Sequence, residues 1–278
     1  MRIRRHRGTV CRVAFLGGAL LALVACVPET PEEVELGNRF AKEVEAALPL
    51  VKDPALTQYL DDLGQRIARV ADDRQLTWHF AIVDQPEVNA FAIPGGHIYV
   101  NRGLVERAAT MAELAGVLGH EVAHVTQRHS MKQMAAAQRT NVIGAGLCFF
   151  LPSLCEGVTG VVLQVGAEAG FAKFSRDDEA ESDRLGVRYV LAAGIDPHGV
   201  PTMFRTLLEE RERNPTLFDT FFGSHPVEES RVQTTDSLVA AIPADSLKGV
   251  ESDSPAYQRF RSRLKALPPS PPAPKRIP

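Results

Sequence analysis

Hydrophobic residues first fall at helical spacing over residues 54–72, PALTQYLDDLGQRIARVAD, where Leu56, Tyr59, Leu60, Leu63, Ile67 and Val70 stand three or four apart. Residues at that spacing share one face of an α-helix, so the stretch predicts an amphipathic helix. The period shortens to two in TWHFAIVD (77–84), which reads as a strand. NAFAIPGGHIYVN (89–101) reads as two extended pieces joined across Pro94-Gly95-Gly96. Helical spacing returns after Thr110-Met111-Ala112-Glu113, a capping-box pattern, and predicts a helix running to about Gln133. A second capped helix opens at Ser175, with Asp178 three residues on, and stops at Gly194 with Pro197 beyond. Further helices are expected near 198–213, 227–241 and 254–265. The pattern predicts an α+β chain, mainly α, with a small β-hairpin or sheet.

Both ends break this pattern. MRIRRHRGTVCR is strongly basic and VAFLGGALLALVA behind it is wholly apolar, the order of a secretory signal. The apolar run is short for a membrane-spanning helix. It closes on Leu23-Val24-Ala25-Cys26, which resembles the bacterial lipobox. That resemblance implies cleavage before Cys26, acyl chains on Cys26 and a mature chain facing the periplasm. Val27 offers no aspartate-type signal for inner-membrane retention, which favours the outer membrane. VPETPEEVEL (27–36) reads as a solvated tether. The expected organisation is a signal peptide over 1–25, a tether over 26–36, a single domain over 37–266 and a Pro-rich tail over 267–278. ALPPSPPAPKRIP, six of whose thirteen residues are proline, should not be forced into structure.

Residues 141–172 are Gly-rich and apolar but interrupted by Pro152 and Glu156, which suggests a core hairpin or an interfacial flap. Within CFFLPSLC, Cys148 and Cys155 form an even pair in an oxidising compartment. A disulfide closing this short loop is one reading, and two buried free thiols the other. Composition narrows the partners. A net charge of −3 with 6% aromatics implies no basic, base-stacking face, so no nucleic acid is expected.

The chemistry concentrates in GVLGHEVAHVTQRHS. His120 and His124, one helical turn apart, can turn two imidazoles toward one ion, and Glu121 beside them can take a proton from a metal-bound water. Such a site needs a third ligand. Glu179, in the first turn of the second capped helix, can supply it, and Asp183, one turn along, can accept a hydrogen bond from a ligand histidine. Glu181 is the competing ligand, on another face. Without the histidines, DDEAESD would read as a solvated helix start favoured by the helix dipole.

GHEVAHVTQRH, SRDDEAESDRLG, NAFAIPGGHIYVNRGL and GSHPVEESR together resemble the HtpX-type metallopeptidases, relatives of the CAAX prenyl proteases (metallopeptidase family forty-eight). Within them the chain is most similar to the soluble lipoprotein branch at the outer membrane of Gram-negative bacteria, over about residues 35–240. The resemblance implies a gluzincin-type domain in which His120, His124 and Glu179 bind one Zn2+, Glu121 is catalytic and Asp183 supports a ligand. It further implies that Asn89, Ala90, Phe91, Ala92, Gly95 and Gly96 belong to an edge strand bordering the cleft, on which a substrate strand can lie. It places His225 close to the metal, either stabilising the oxyanion or capping zinc in a resting state, and lets Arg231 brace an acidic residue of the site. His97 stands in the edge strand where the family often has an aromatic residue. His79 and His129 have no partner that the sequence names and default to structural or surface positions.

These readings converge on a zinc-dependent endopeptidase of the bacterial envelope, acting on unfolded or misassembled envelope proteins. The alternative is a zinc-stabilised chaperone or assembly factor with little or no proteolysis. A third is a structural lipoprotein in which the motif is accidental.

Overall fold

The structure is a computed structural model and describes residues 30–139, 174–218 and 223–271. The signal peptide, Cys26, the whole 141–172 segment with Cys148 and Cys155, and the end of the tail lie outside the described residues, as do residues 219–222. Among the described residues the helices are α1 (Thr30–Ala47), α2 (Pro54–Ala71), α3 (Arg102–Arg107), α4 (Met111–Thr126), α5 (His129–Arg139), α6 (Arg176–Ala192), α7 (Gly199–Arg213), α8 (Glu229–Ala240) and α9 (Pro255–Lys265). Three strands, β1 (His79–Val83), β2 (Ala90–Ile93) and β3 (His97–Asn101), form one sheet. This is the mainly helical α+β architecture that the periodicity predicts. No helix among the described residues is long and apolar enough to cross a membrane.

The helix at the centre is α4. From Met111 to Val125 every residue is buried, because α2, the sheet, α6 and α7 pack around it. Its start is fixed by the Thr110 side chain, which accepts from the Glu113 N–H, and by Glu113, whose carboxylate accepts from the Ala109 N–H. α2 buries Leu56, Leu60, Leu63 and Ile67 as its spacing predicts. Val70 departs from that stripe: it sits in the last turn and is 44% exposed.

The sheet runs in the order β1-β3-β2. β1 and β3 are parallel, β2 and β3 antiparallel, and Gly95 and Gly96 turn the β2–β3 hairpin at φ 82° and 102°. Such angles are costly for any residue with a Cβ. The outer side of β1 is covered, since the Val51 N–H donates to the Ile82 carbonyl and the Asp84 N–H to that of Pro49. β2 is the other outer strand. The Asn101 N–H donates to the Asn89 carbonyl, and ladder alternation then turns the main-chain groups of Ala90 and Ala92 away from β3.

Three expectations are corrected. Residues 30–36, read as part of a tether, are the first turns of α1. Proline and glutamate suit a solvated linker, but they equally suit the start of a helix, where acidic side chains meet the positive end of the dipole. Phe40 and Val44 of α1 pack into a core with Phe91, Ile93 and Tyr99, and Glu33 is fully buried between Arg74 (2.9 Å) and Arg128 (2.7 Å). Second, the helix predicted to reach Gln133 ends at Thr126. Arg128 takes φ 60°, held by Glu33, and α5 starts afresh at His129. Third, His97 lies in the central strand, β3, and not in the edge strand.

His97 stacks on His79 at 4.8 Å, and its Nε2 lies 3.0 Å from Asn38 Oδ1. Burial, with the neighbouring His79, pushes its pKa down to about 4 from 6.5. Between those values the unfolded chain binds more protons than the folded one, so His97 removes stability as pH falls through that window. Urea unfolding at pH 7 and pH 4.5 should show a larger drop in midpoint for the parent than for His97→Phe. Equal drops would mean that His97 does not titrate low.

Candidate metal centre

Two capped helices build the centre, one crossing the other. α4 presents His120, Glu121 and His124. α6 presents Glu179 and Asp183 from a start fixed by a reciprocal capping box, in which Ser175 Oγ accepts from the Asp178 N–H and Asp178 accepts from the Ser175 N–H. The segment before α8 adds His225, and α8 itself adds Arg231. Every one of these side chains except Arg231, which is slightly open, is buried.

His120 Nε2 and His124 Nε2 stand 3.0 Å apart. Glu179 Oε1 lies 3.4 Å from His124 Nε2, and Oε2 lies 3.4 Å from His120 Nε2. His225 Nδ1 lies 3.4 Å from His120 Nε2 and 3.0 Å from Glu179 Oε1. Four donors held about 2.0–2.1 Å from one zinc ion stand about 3.3–3.4 Å apart at the corners of a tetrahedron. The four side chains therefore converge with the spacing and donor types that zinc takes, and their ligand atoms all lie within 4.8 Å of one another.

Charge supports the same fit. Three buried carboxyl side chains, Glu121, Glu179 and Asp183, share this space with one guanidinium, that of Arg231. Arg231 grips Asp183 with Nε (2.8 Å) and Nη2 (2.6 Å), and its Nη1 reaches Glu179 Oε2 at 2.6 Å. Its plane rests on the Phe204 ring, 4.6 Å from the centroid. Asp183 Oδ1 lies 2.9 Å from His120 Nδ1, so the nitrogen opposite the ligand cluster faces a carboxylate. That contact directs Nε2 inward and makes it more basic.

Burial alone would depress the His120 imidazolium, but Glu179 and Asp183 outweigh it and raise the pKa to about 9. Burial pushes the Glu179 carboxyl up, yet His225 and His120 hold it well below the ordinary range. His124 is pushed well below by burial and stays neutral, the form that binds metal.

Glu121 differs from its neighbours. Among the described residues both carboxylate oxygens are buried without a hydrogen-bond partner, and the nearest cationic candidate, His225 Nε2, is 3.7 Å from Oε1. Buried oxygens without a partner are few in native structures and call for an explanation, of which a catalytic role is one.

The structure brings together His120, Glu121, His124, Glu179, Asp183, His225 and Arg231. It does not bring Glu181 to the cluster: Glu181 Oε2 lies 3.3 Å from His129 Nε2 instead. His129, which the sequence left without a partner, is fully buried with its Nδ1 3.0 Å from His124 Nδ1. The hint was in the spacing HxxxxH, but on an unbroken helix His129 would stand well round from His124. Only the left-handed Arg128 turn brings them together, and nothing in the composition announces that turn.

Two buried histidines from α4 and a buried glutamate from α6, beside a second glutamate with no hydrogen-bond partner among the described residues, have the make-up of a mononuclear metallohydrolase centre. The chain belongs to peptidase family M48, whose profile matches residues 54–239. It is 32% identical over 211 residues to the beta-barrel assembly-enhancing protease of Escherichia coli, a match covering 72% of this chain and 42% of that protein. A putative beta-barrel assembly-enhancing protease of Vibrio cholerae is 30% identical over 226 residues, covering 78% and 46%. The mitochondrial metalloendopeptidase OMA1 of Schizosaccharomyces pombe is 27% identical over 212 residues, covering 74% and 60%. The chain therefore spans less than half the length of the two bacterial relatives and 60% of the third.

Glu179→Gln should weaken zinc more than 100-fold, beyond the range of about 10–100-fold expected when a supporting partner is lost. Glu181→Gln should weaken it far less. Competition with a chromophoric chelator measures both, and the reverse order would reassign the third ligand.

Proposed function

We propose that the chain is a zinc-dependent endopeptidase of the bacterial envelope that cleaves unfolded or misassembled envelope proteins. The observation that carries this reading is the buried Glu121 carboxylate, without a hydrogen-bond partner among the described residues, beside four converging donor side chains. His120, His124 and Glu179 are the zinc ligands in this reading, and His225 takes the fourth corner at rest. Zinc bound there supplies a Lewis acid for the peptide carbonyl and lowers the pKa of a water in its shell.

Glu121 then takes the proton of the attacking water and returns it to the leaving amide nitrogen. Asp183 holds the His120 ring, and Arg231 holds Asp183 and Glu179 in place. His225 must leave the fourth corner before substrate arrives. Its ring stays within reach of the scissile carbonyl, so the same residue can serve as a cap at rest and as an oxyanion donor in turnover. The donor distances of 3.4 and 3.0 Å from its Nδ1 support the cap.

The outward main-chain groups of Ala90 and Ala92 support strand addition as the mode of substrate binding, with Asn89 and Phe91 on the same strand and Gly95-Gly96 closing its far end. Main-chain pairing discriminates little between sequences, which suits a protease of unfolded chains. The similarity to bacterial proteases named for enhancing β-barrel assembly supports the envelope as the place of action. Lipidation of Cys26 and attachment to the outer membrane belong to the same proposal and rest on the lipobox-like sequence.

Glu121→Gln should retain zinc yet cleave casein at least 100-fold more slowly than the parent, the low end for loss of a general base. Zinc content measured on both proteins completes the test. Undiminished cleavage by Glu121→Gln would remove Glu121 as the base. A parent that holds unfolded chains but shows no chelator-sensitive cleavage would be the chaperone instead.

A further inference from the structure

His129 sits outside the donor set, yet its surroundings are built as carefully as the centre itself. It is fully buried, directly behind the ligand His124. Its Nδ1 lies 3.0 Å from His124 Nδ1 and 3.3 Å from Ser182 Oγ, a hydroxyl that is itself fully buried. Its Nε2 lies 3.3 Å from Glu181 Oε2 and 3.5 Å from Asp178 Oδ1. The rings of His124 and His129 meet edge to face at 5.0 Å.

We propose that His129 is the positioning residue of the zinc ligand His124, accepting a hydrogen bond from His124 Nδ1–H while Glu181 fixes the tautomer that lets it accept. The inference rests on the zinc reading above. His124 Nε2 faces the other donors, 3.0 Å from His120 Nε2. A neutral imidazole that offers Nε2 as a ligand carries its proton on Nδ1 and must place it somewhere. The atom 3.0 Å away is His129 Nδ1, so that nitrogen must be the bare one, and the His129 proton must then sit on Nε2. Glu181 and Asp178 receive it there, which selects this tautomer, because a carboxylate accepts and cannot donate. Ser182 adds a second, longer donor to the same Nδ1.

The two ligand histidines are thereby supported differently. His120 donates toward a carboxylate, Asp183, which is itself clamped by Arg231. His124 donates to a neutral imidazole whose carboxylate stands one ring further out. Glu181, the competing ligand by sequence, acts on the metal through His129. The geometry depends on the Arg128 turn, since only the break between α4 and α5 folds His129 back onto the preceding turn.

Three variants test the proposal against a merely space-filling role. His129→Phe keeps an aromatic ring but has no acceptor. His129→Asn gives up the ring but keeps an oxygen near the Nδ1 position. Glu181→Ala removes the nearer of the two carboxylates that hold the His129 tautomer and leaves Asp178 at 3.5 Å. Zinc affinity is measured by chelator competition on the full chain, and the His124 ring proton is followed by proton NMR of the zinc-loaded protein, as a far-downfield, slowly exchanging resonance.

His129→Phe is expected to weaken zinc about 10–100-fold and to lose the resonance. His129→Asn should recover most of the affinity and keep the resonance, and Glu181→Ala should fall between the two. The proposal is overturned if His129→Phe binds zinc within about threefold of the parent and keeps the signal, as packing alone would allow. It is also overturned if His129→Asn is as weak as His129→Phe. Should His129→Phe not fold, His129→Asn and Glu181→Ala decide: retained signal in the first with reduced affinity in the second supports it, and the opposite pair refutes it. A parent that binds no zinc would refute the zinc reading as well, whereas a zinc-binding parent with an indifferent His129 refutes this inference alone.

Discussion

The centre depends on how closely α4 and α6 approach. The contact is made by glycine on both sides: a Cβ on Gly119 would sit 2.9 Å from Val190 Cγ2 and 3.1 Å from the Gly186 carbonyl, and one on Gly186 would sit 3.1 Å from the His120 nitrogen. On α6, Glu179, Ser182, Asp183, Gly186 and Val190 fall at helical spacing and form one stripe against α4. Gly186 thus lies one turn from Asp183 and two turns from Glu179. A methyl group at either glycine would have to push backbone or a packed valine aside by several tenths of an ångström. Donor atoms 3.0–3.4 Å apart have little room for that. The spacing of the donor atoms is therefore a consequence of helix packing.

Close approach alone would drive the carboxylates apart, and Arg231 resolves this. One guanidinium spans Asp183 and Glu179, with the Phe204 ring beneath it. The planar fork of arginine suits this task in a way that the point charge of lysine would not. Removing one partner of such a buried pair typically costs about 3–5 kcal/mol, because the survivor is left charged and unpaired. The arrangement leaves Glu121 as the carboxylate with no hydrogen-bond partner in the cluster. It is the one group free to handle a proton, and its freedom follows from the others being engaged.

Much of this was legible in the sequence where a residue's role is local. Helical spacing, the Thr110 and Ser175 caps and the His-Glu-x-x-His interval each describe what a few neighbouring residues do, and those neighbours are adjacent in the chain. Glu179 was preferred over Glu181 because i, i+4 spacing pairs it with Asp183, a helix-surface argument that needs no tertiary structure. What escaped were features set by distant contacts. The tether reading failed for Thr30 onward because Pro-Glu composition is shared by linkers and helix starts, and only Arg74 and Arg128, far along the chain, show that Glu33 is buried. His129 escaped for a related reason: its position depends on an arginine in a left-handed turn, a conformation usually left to glycine or asparagine.

The helix that the sequence hid connects two parts of the proposed function. Cys26 precedes Thr30 by four residues, which span at most about 14 Å when fully extended. A lipid on Cys26 would therefore hold α1 against the membrane surface, with no long tether between. Glu33 of that helix holds Arg128 in the turn that sets His129 behind His124, and it also holds Arg74, whose Nη2 donates to the Val125 carbonyl at the end of α4. One buried carboxylate thus joins α1 to the final turn of α4. Displacing α1 would release Arg128, loosen the α4–α5 break and withdraw the support behind one ligand. Through Arg128 and His129, α1 is in this way linked to His124 of the donor cluster.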